Sequence, residues 1–362
     1  MRISNPVSPL PELYAPWVDE VLGGPLPEER HASCSACAMC TPHAVTAATA
    51  SVKVFDPGTK CCTYVPTLPN FLVGLILGHD DPATAAGLQS VRRRIADGIG
   101  VTPLGLQPDP HYVLIYRHAG DQLFGRSSGL RCPHYVPAGG GQCGIWRYRN
   151  GVCATWFCKY ERGRVGKRFW GALLQLLTVI ERHLSLWAAG ELGETVVGLG
   201  PALLPYYASR LDKSPELWSP RWVGRCEEFY RAAARLVEPL GWRQVREIAG
   251  PEVAVVAGQL RAAYSALEAG ELPTPLRLGA VSQAALDDGQ VACTGYSPHD
   301  MLRLPSAVAE ALEHFDGHRS TDEVREQIAR QVDERFDRDA VRRLVDFGIL
   351  QPISPAEANG RC

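Results

Sequence analysis

Residues 169–187 read FWGALLQLLTVIERHLSLW, and within them Trp170, Leu173, Leu174, Leu177, Ile180 and Leu184 recur at steps of three and four. That spacing lays an apolar stripe along one helix face, a stripe that must pack on something. The same period returns over 226–237 and 252–267. The middle of the chain, 166–271, is therefore read as a helical region, its first helix as a core helix, and the fold class as mainly α. A chain of 362 residues is long enough for two or three compact units.

Upstream, the basic stretch Lys159, Arg162, Arg164, Lys167 and Arg168 separates these helices from residues 1–165, which are rich in Gly, Pro and Cys. Few long helical periods occur there, as expected of an irregular, Cys-rich domain held partly by a metal. A helix is expected over 83–95. A strand is expected over 111–116, HYVLIY, from its aromatic and β-branched content. The first ten residues, MRISNPVSPL, hold two prolines and no apolar run of the kind an export signal needs. The most apolar stretches, 71–77 and 169–180, fall short of the roughly 20 residues that cross a bilayer. A formal net charge of −2 gives no reason to expect nucleic acid or an anionic membrane as partner. A cytoplasmic protein is expected.

A cytosolic chain keeps its thiols reduced, which argues against a disulfide framework. Of twelve cysteines, nine precede residue 160: Cys34, Cys37, Cys40, Cys61, Cys62, Cys132, Cys143, Cys153 and Cys158. Clustered thiolates need a positive partner, and a metal supplies one. Cys34-x2-Cys37-x2-Cys40 sets three sulfurs in one tight turn, the spacing of three corners of a [4Fe–4S] cubane with a fourth ligand from elsewhere. Structural zinc prefers two Cys-x2-Cys knuckles. Cys132, Cys143, Cys153 and Cys158 form a second group, with reversals expected at 139–141 and at Asn150-Gly151 to bring it together. Nine thiols allow one site with a redox-active remainder or, the favoured reading, two sites. Cys226, Cys293 and Cys362 stand apart and are not expected to be ligands. Trp146, Tyr148, Trp156, Phe157 and Tyr160 are large rings that would shield a cluster or simply fill a core. His31, His43, His111, His118 and His134 are further possible ligands, none paired at i, i+4.

Three segments together, Cys34-Ser-Ala-Cys37-Ala-Met-Cys40, Cys132, and Gly141-Gln-Cys143-Gly-Ile-Trp146-Arg-Tyr-Arg149-Asn-Gly-Val-Cys153 followed by Cys158, resemble the YkgJ-like cysteine-cluster proteins described as zinc- or iron-chelating. Their pattern is a CxxCxxCC knot followed by a segment like C-x-I-Y-x-x-R-P-x-x-C. Ile145, Trp146, Arg149 and the ten-residue step from Cys143 to Cys153 match it, whereas Thr41 stands at the fourth cysteine of the knot and Asn150 at the proline. The resemblance covers about 125 residues. It implies a metal centre whose missing thiol comes from Cys61 or Cys62.

Downstream, residues 272–279, LPTPLRLG, read as a linker. Beyond it, 280–355 shows three short helices: 306–315, one opened by the capping box Ser320-Thr-Asp-Glu323, and one capped by Asp337 and closed at Gly348. Their expected inward residues are Val308, Leu312, Phe315, Val324, Ile328, Val332, Val341, Leu344 and Val345, with Ile349 and Leu350 as an edge strand. This small winged-helix-like module, with Leu312-Glu-His-Phe315-Asp-Gly317-His-Arg-Ser-Thr-Asp-Glu323, is similar to PqqD-like modules, which implies a peptide partner bound along a strand edge.

No phosphate-binding loop, HExxH helix, GxSxG elbow, dinucleotide turn or CxxxCxxC radical-enzyme motif occurs. No catalytic residue is assigned. The expectation is a cytoplasmic iron–sulfur protein, with one or two 4Fe-4S clusters, serving electron transfer or a redox-linked modification of a peptide or protein. The alternatives are a non-enzymatic adaptor stapled by zinc and a redox sensor at Cys61-Cys62.

Overall fold

The computed structural model describes residues 10–29, 34, 37–40, 54–79, 82–195, 217–286 and 288–353. His31, Thr41, His43 and Cys362 lie outside them. Twelve α-helices and four small sheets stand among the described residues, a mainly α architecture.

Before the second cysteine group the 1–165 stretch carries four helices, of which α3 is the one expected over 83–95: α1 (Ala15–Leu22), α2 (Asn70–Gly78), α3 (Ala85–Ala96) and α4 (Pro110–Leu123). The 111–116 stretch is thus helical, not a strand. The deciding signal is local: Asp109 accepts hydrogen bonds from the His111 and Tyr112 N–H groups and Pro110 sits in the first turn, a helix start that overrides β-branched content. Only one face of α4 is covered, and Leu114 and Ile115 are exposed.

Helix α5 (Gly151–Thr155) is short, and α6 (Gly163–Glu191) is the central element, longer than the 169–187 period implied. Trp170, Leu173, Leu177, Ile180 and Leu184 are buried on it, as the stripe required. Around α6 pack α5, α7 (Cys226–Val237), α8 (Trp242–Ala249) and α9 (Pro251–Glu268). A single buried cluster runs from Leu10 and Tyr14 through Phe71, Phe157, Tyr160 and Trp170 to Leu267. The 1–165 and 166–271 stretches therefore share this core, and the other side of α2, through Val73, Ile76 and Leu77, packs with Phe229 and Tyr230 of α7 in a second cluster. In the described residues, no helix is long and apolar enough to cross a membrane.

Glu181, on α6, accepts hydrogen bonds from the Tyr14 hydroxyl and the Gly151 N–H, both at 2.6 Å. Burial pushes its carboxyl from 4.5 up to about 7. Between those values the folded chain holds a proton that the unfolded chain has released, so the associated stability is full below 4.5 and is lost as pH rises through 7. Glu181→Gln should remove this slope. The wild-type advantage over the variant is expected to shrink by about 3 kcal/mol from pH 4.5 to 8 in denaturant titrations; a difference that stays constant with pH would refute the assignment.

The C-terminal unit has its own buried cluster, Leu276 to Leu350. Its helices are α10 (Ser306–Ala311), α11 (Thr321–Gln331) and α12 (Arg338–Asp346). Ser320 and Glu323 make the reciprocal capping box, and Asp337 accepts from the Ala340 N–H. Val332 is exposed because it caps the frayed end of α11, so it is not the inward residue expected. The stretch taken for a linker carries a strand, Leu276–Leu278, which pairs antiparallel with Leu350–Pro352. A meander of Ser282–Ala285, Gln290–Ser297 and Asp300–Pro305 follows, with no counterpart in the sequence reading. A fragment that folds alone must then begin near Leu272. Circular dichroism should find 272–353 folded and a fragment starting at Gly279, which lacks the paired strand, largely unfolded.

Candidate metal centre

Six of the nine cysteines, Cys34, Cys61, Cys62, Cys132, Cys143 and Cys153, line one cavity of about 510 Å³. Each arrives on a segment held by specific backbone bonds. Cys61 and Cys62 sit in a tight turn in which the Cys62 N–H reaches the Thr59 carbonyl, and the Cys62 carbonyl accepts from Cys132 N at 2.7 Å, tying that turn to the second group. Cys132 and Cys143 flank a hairpin whose strands Tyr135–Val136 and Gln142–Cys143 pair Tyr135 with Cys143. Gly139, Gly140 and Gly141 all have positive φ there, so the expected reversal is present. Asn150 is a helix cap, not a reversal: its side-chain oxygen accepts from Cys153 N at 3.1 Å and its amide donates to the Thr67 carbonyl.

The remaining three thiols are placed differently from the expected grouping. Cys37 and Cys40 hydrogen-bond each other, and the Cys158 thiol lies in the electrostatic reach of Cys61, Cys37 and Cys40. Cys34 thus joins Cys132, Cys143 and Cys153 in the lining, while Cys158 lies outside it, within electrostatic reach of Cys61 of the lining first and of Cys37 and Cys40 next. Among the described residues, no three His, Cys, Asp or Glu side chains already converge on a single ion position. Cys226 lies beside the buried cluster of α2 and α7, and Cys293 lies inside the C-terminal core, both away from the cavity lining. Replacing either by serine should leave metal content unchanged, checked by elemental analysis of the purified variants.

Burial raises most of these thiols: Cys34 to about 11, and Cys132, Cys143 and Cys40 to about 12. Cys153 and Cys158 rise for the same reason, and Cys62 rises because it hydrogen-bonds Cys61. Cys61 goes the other way, held below its ordinary value by the Cys62 hydrogen bond and by Arg149. A set of buried thiols that resists ionisation releases its protons only to a cation that pays in bond energy.

Two protein cations stand among them. Arg149 is buried, its guanidinium donates to the Trp146 carbonyl at 3.1 Å and the Cys153 carbonyl at 2.9 Å, and it covers the Trp146 ring at 3.4 Å. Lys60 Nζ donates to the Gly141 carbonyl at 2.7 Å and to the Cys34 carbonyl. His134 also lines the cavity, but its Nδ1 meets Ser90 Oγ and its Nε2 meets Arg94, and burial followed by Arg94 presses its pKa down to about 3. Both nitrogens are engaged, so it braces α3 and is not aimed as a ligand. His111 is exposed beside Asp109.

Of the rings expected near the second group, Trp146 and Trp156 line the cavity, whereas Tyr148, Phe157 and Tyr160 pack into the core. Sequence reasoning missed Lys60, whose adjacency to Cys61-Cys62 was an available signal. It also missed Tyr64, Tyr116 and Phe124, and Pro298 and His299 from the C-terminal unit. Tyr64 follows Cys62 by two positions and carried the same signal as Lys60; for the other four the sequence carries none, since only the fold brings them to the cysteines. Comparison with protein-family models, curated proteins and solved structures returned no match to this chain.

Proposed function

We propose that the cavity cysteines hold an iron–sulfur cluster serving a redox step, electron transfer or a redox-linked modification of a peptide or protein, as in the resemblance to cysteine-cluster proteins. The observation that carries the reading is the six-cysteine lining of one cavity. An all-sulfur donor set suits soft, thiophilic centres. A single tetrahedral zinc takes four ligands at about 2.3 Å and closes its site, which six sulfurs around about 510 Å³ exceed. When bound, such a cluster supplies one-electron chemistry.

The chain's own residues do the rest. Arg149 and Lys60 offset thiolate charge, while Ile145, Phe124 and Trp156 limit water and lower the local dielectric, which sets the potential. Cys37, Cys40 and Cys158, outside the lining, are left for a second cluster or a redox-active remainder. The winged-helix-like unit is the element proposed to hold a peptide. It is docked by a two-point pairing of Arg162 with Asp346, at 2.5 and 3.2 Å, and by the Tyr296 hydroxyl accepting from Tyr160 N. Its 297–300 turn contributes Pro298 and His299 to the cavity wall.

Purified without oxygen, the protein should be brown, absorb broadly near about 400 nm and contain iron and acid-labile sulfide. Cys34→Ser, Cys61→Ser, Cys143→Ser and Cys153→Ser should each strip most of the iron. A colourless protein with stoichiometric zinc would overturn the reading in favour of a zinc-stapled adaptor.

A further inference from the structure

We infer that the aromatic part of the cavity wall is a binding site for an organic cation, an ammonium or guanidinium group, presented on a peptide side chain or as a free amine. This rests on the reading of the cavity as a reaction site and names the class of substrate it admits. Tyr64, Tyr116, Phe124 and Trp156 line the same cavity as the six cysteines. Tyr64 and Tyr116 meet edge to face, with centroids 5.6 Å apart at 68°, and Phe124 and Trp156 do so at 5.1 Å and 83°. Perpendicular pairs make corners. A compact cation in a corner sees more than one ring face, whereas a flat neutral ring is held best between parallel walls.

The charges point the same way. Ring faces are negative, and a thiolate-ligated centre beside them adds negative charge. Asp121 lines the same wall; burial first, and then its carboxylate, push the Tyr116 phenol up, so that negative charge acts at the ring. The positive groups nearby are committed to the cysteines: Arg149 holds the carbonyls of Trp146 and Cys153, Lys60 those of Gly141 and Cys34, and the charge of both acts on Cys34 and Cys61. The cavity already contains one instance of this chemistry: the Arg149 guanidinium carbon stands 3.4 Å over the centre of the Trp146 ring. Trp146 is thereby occupied on that face; of the other four rings, Tyr116 also stacks on Tyr112 at 5.6 Å and Phe124 meets Phe55 edge to face at 5.4 Å, and their other sides are the ones left for a ligand. A volume of about 510 Å³ admits a side-chain-sized group beside a cluster.

The test uses the full chain, with iron and sulfide assayed in each sample, and follows fluorescence, to which Trp146 and Trp156 contribute from the cavity wall. The probes are n-butylammonium and, as a neutral control one methylene longer, 1-pentanol, with acetyl-Gly-Lys-Gly-amide and its norleucine analogue as the peptide arm. Butylammonium should bind about tenfold more tightly than pentanol, and Tyr116→Leu and Trp156→Leu should each weaken the cation by roughly three- to thirtyfold. A response to the lysine peptide alone places the cation on a peptide; a response to the free amine alone makes a small amine the ligand; both support the site. Equal affinity for pentanol overturns it, as does undiminished cation binding in folded Tyr116→Leu. The cation-to-alcohol ratio is read on the unaltered chain, so it decides even where a variant fails to fold. Cation selectivity in a protein without iron would keep the site and overturn the cluster; iron without cation selectivity would do the reverse.

Discussion

Arg149→Met should be the most damaging single change near the cavity: an apo-like, iron-poor protein destabilised by about 3–5 kcal/mol, the cost of removing one partner from a buried charged network. Three things are lost together. The Trp146 and Cys153 carbonyls lose their donor, the Trp146 ring loses its covering group, and Cys34, Cys61, Cys143 and Cys153 lose the cation whose charge favours their ionised forms. Arg149→Lys keeps the charge but not the fork that reaches two carbonyls, so it should fall between wild type and Met. Guanidinium titrations and absorbance near about 400 nm would check both. If the Met variant unfolds at the wild-type midpoint with a full complement of iron, Arg149 is a bystander.

Gly74→Ala is expected to destabilise by at least about 3 kcal/mol, although helix propensity alone favours alanine by about 1 kcal/mol. Gly74 lies within α2 where it crosses α7, and a Cβ there would stand 1.9 Å from the Tyr230 carbonyl oxygen and 2.8 Å from the Ala234 Cβ. The obstacle is backbone, so no rotamer change relieves it. Gly78, at the end of the same helix, has nothing within 4 Å of the same atom. Gly78→Ala should therefore be neutral or slightly stabilising, and thermal melts of the two variants side by side separate packing from propensity. Equal behaviour would mean that α2 and α7 do not approach as closely as described.

Much of the local structure was legible. The stripe on α6, the boundaries of α7, the capping box at Ser320 and the Asp337 cap are short-range patterns whose physics acts within one or two turns. The strand expected over 111–116 failed because composition was weighed above the Asp109-Pro110 start. The strand Leu276–Leu278 was hidden because its partner, Leu350–Pro352, is more than seventy positions away.

The site divides in the same way. By itself the sequence determined that thiols are concentrated before residue 160, that Cys34, Cys37 and Cys40 follow at three-residue steps, and that 139–141 must reverse the chain, since these follow from residue identity and spacing. Only the tertiary structure decided the grouping. The Cys132 N–H bond to Cys62 and the β pairing of Tyr135 with Cys143 gather Cys61, Cys62, Cys132 and Cys143, and Lys60 Nζ, bonded to both the Cys34 and Gly141 carbonyls, ties Cys34 to them, while Cys37, Cys40 and Cys158 fall outside the lining. Spacing limits which thiols can meet within a turn. Which distant thiols do meet is set by long-range backbone bonds and core packing, for which no local pattern exists.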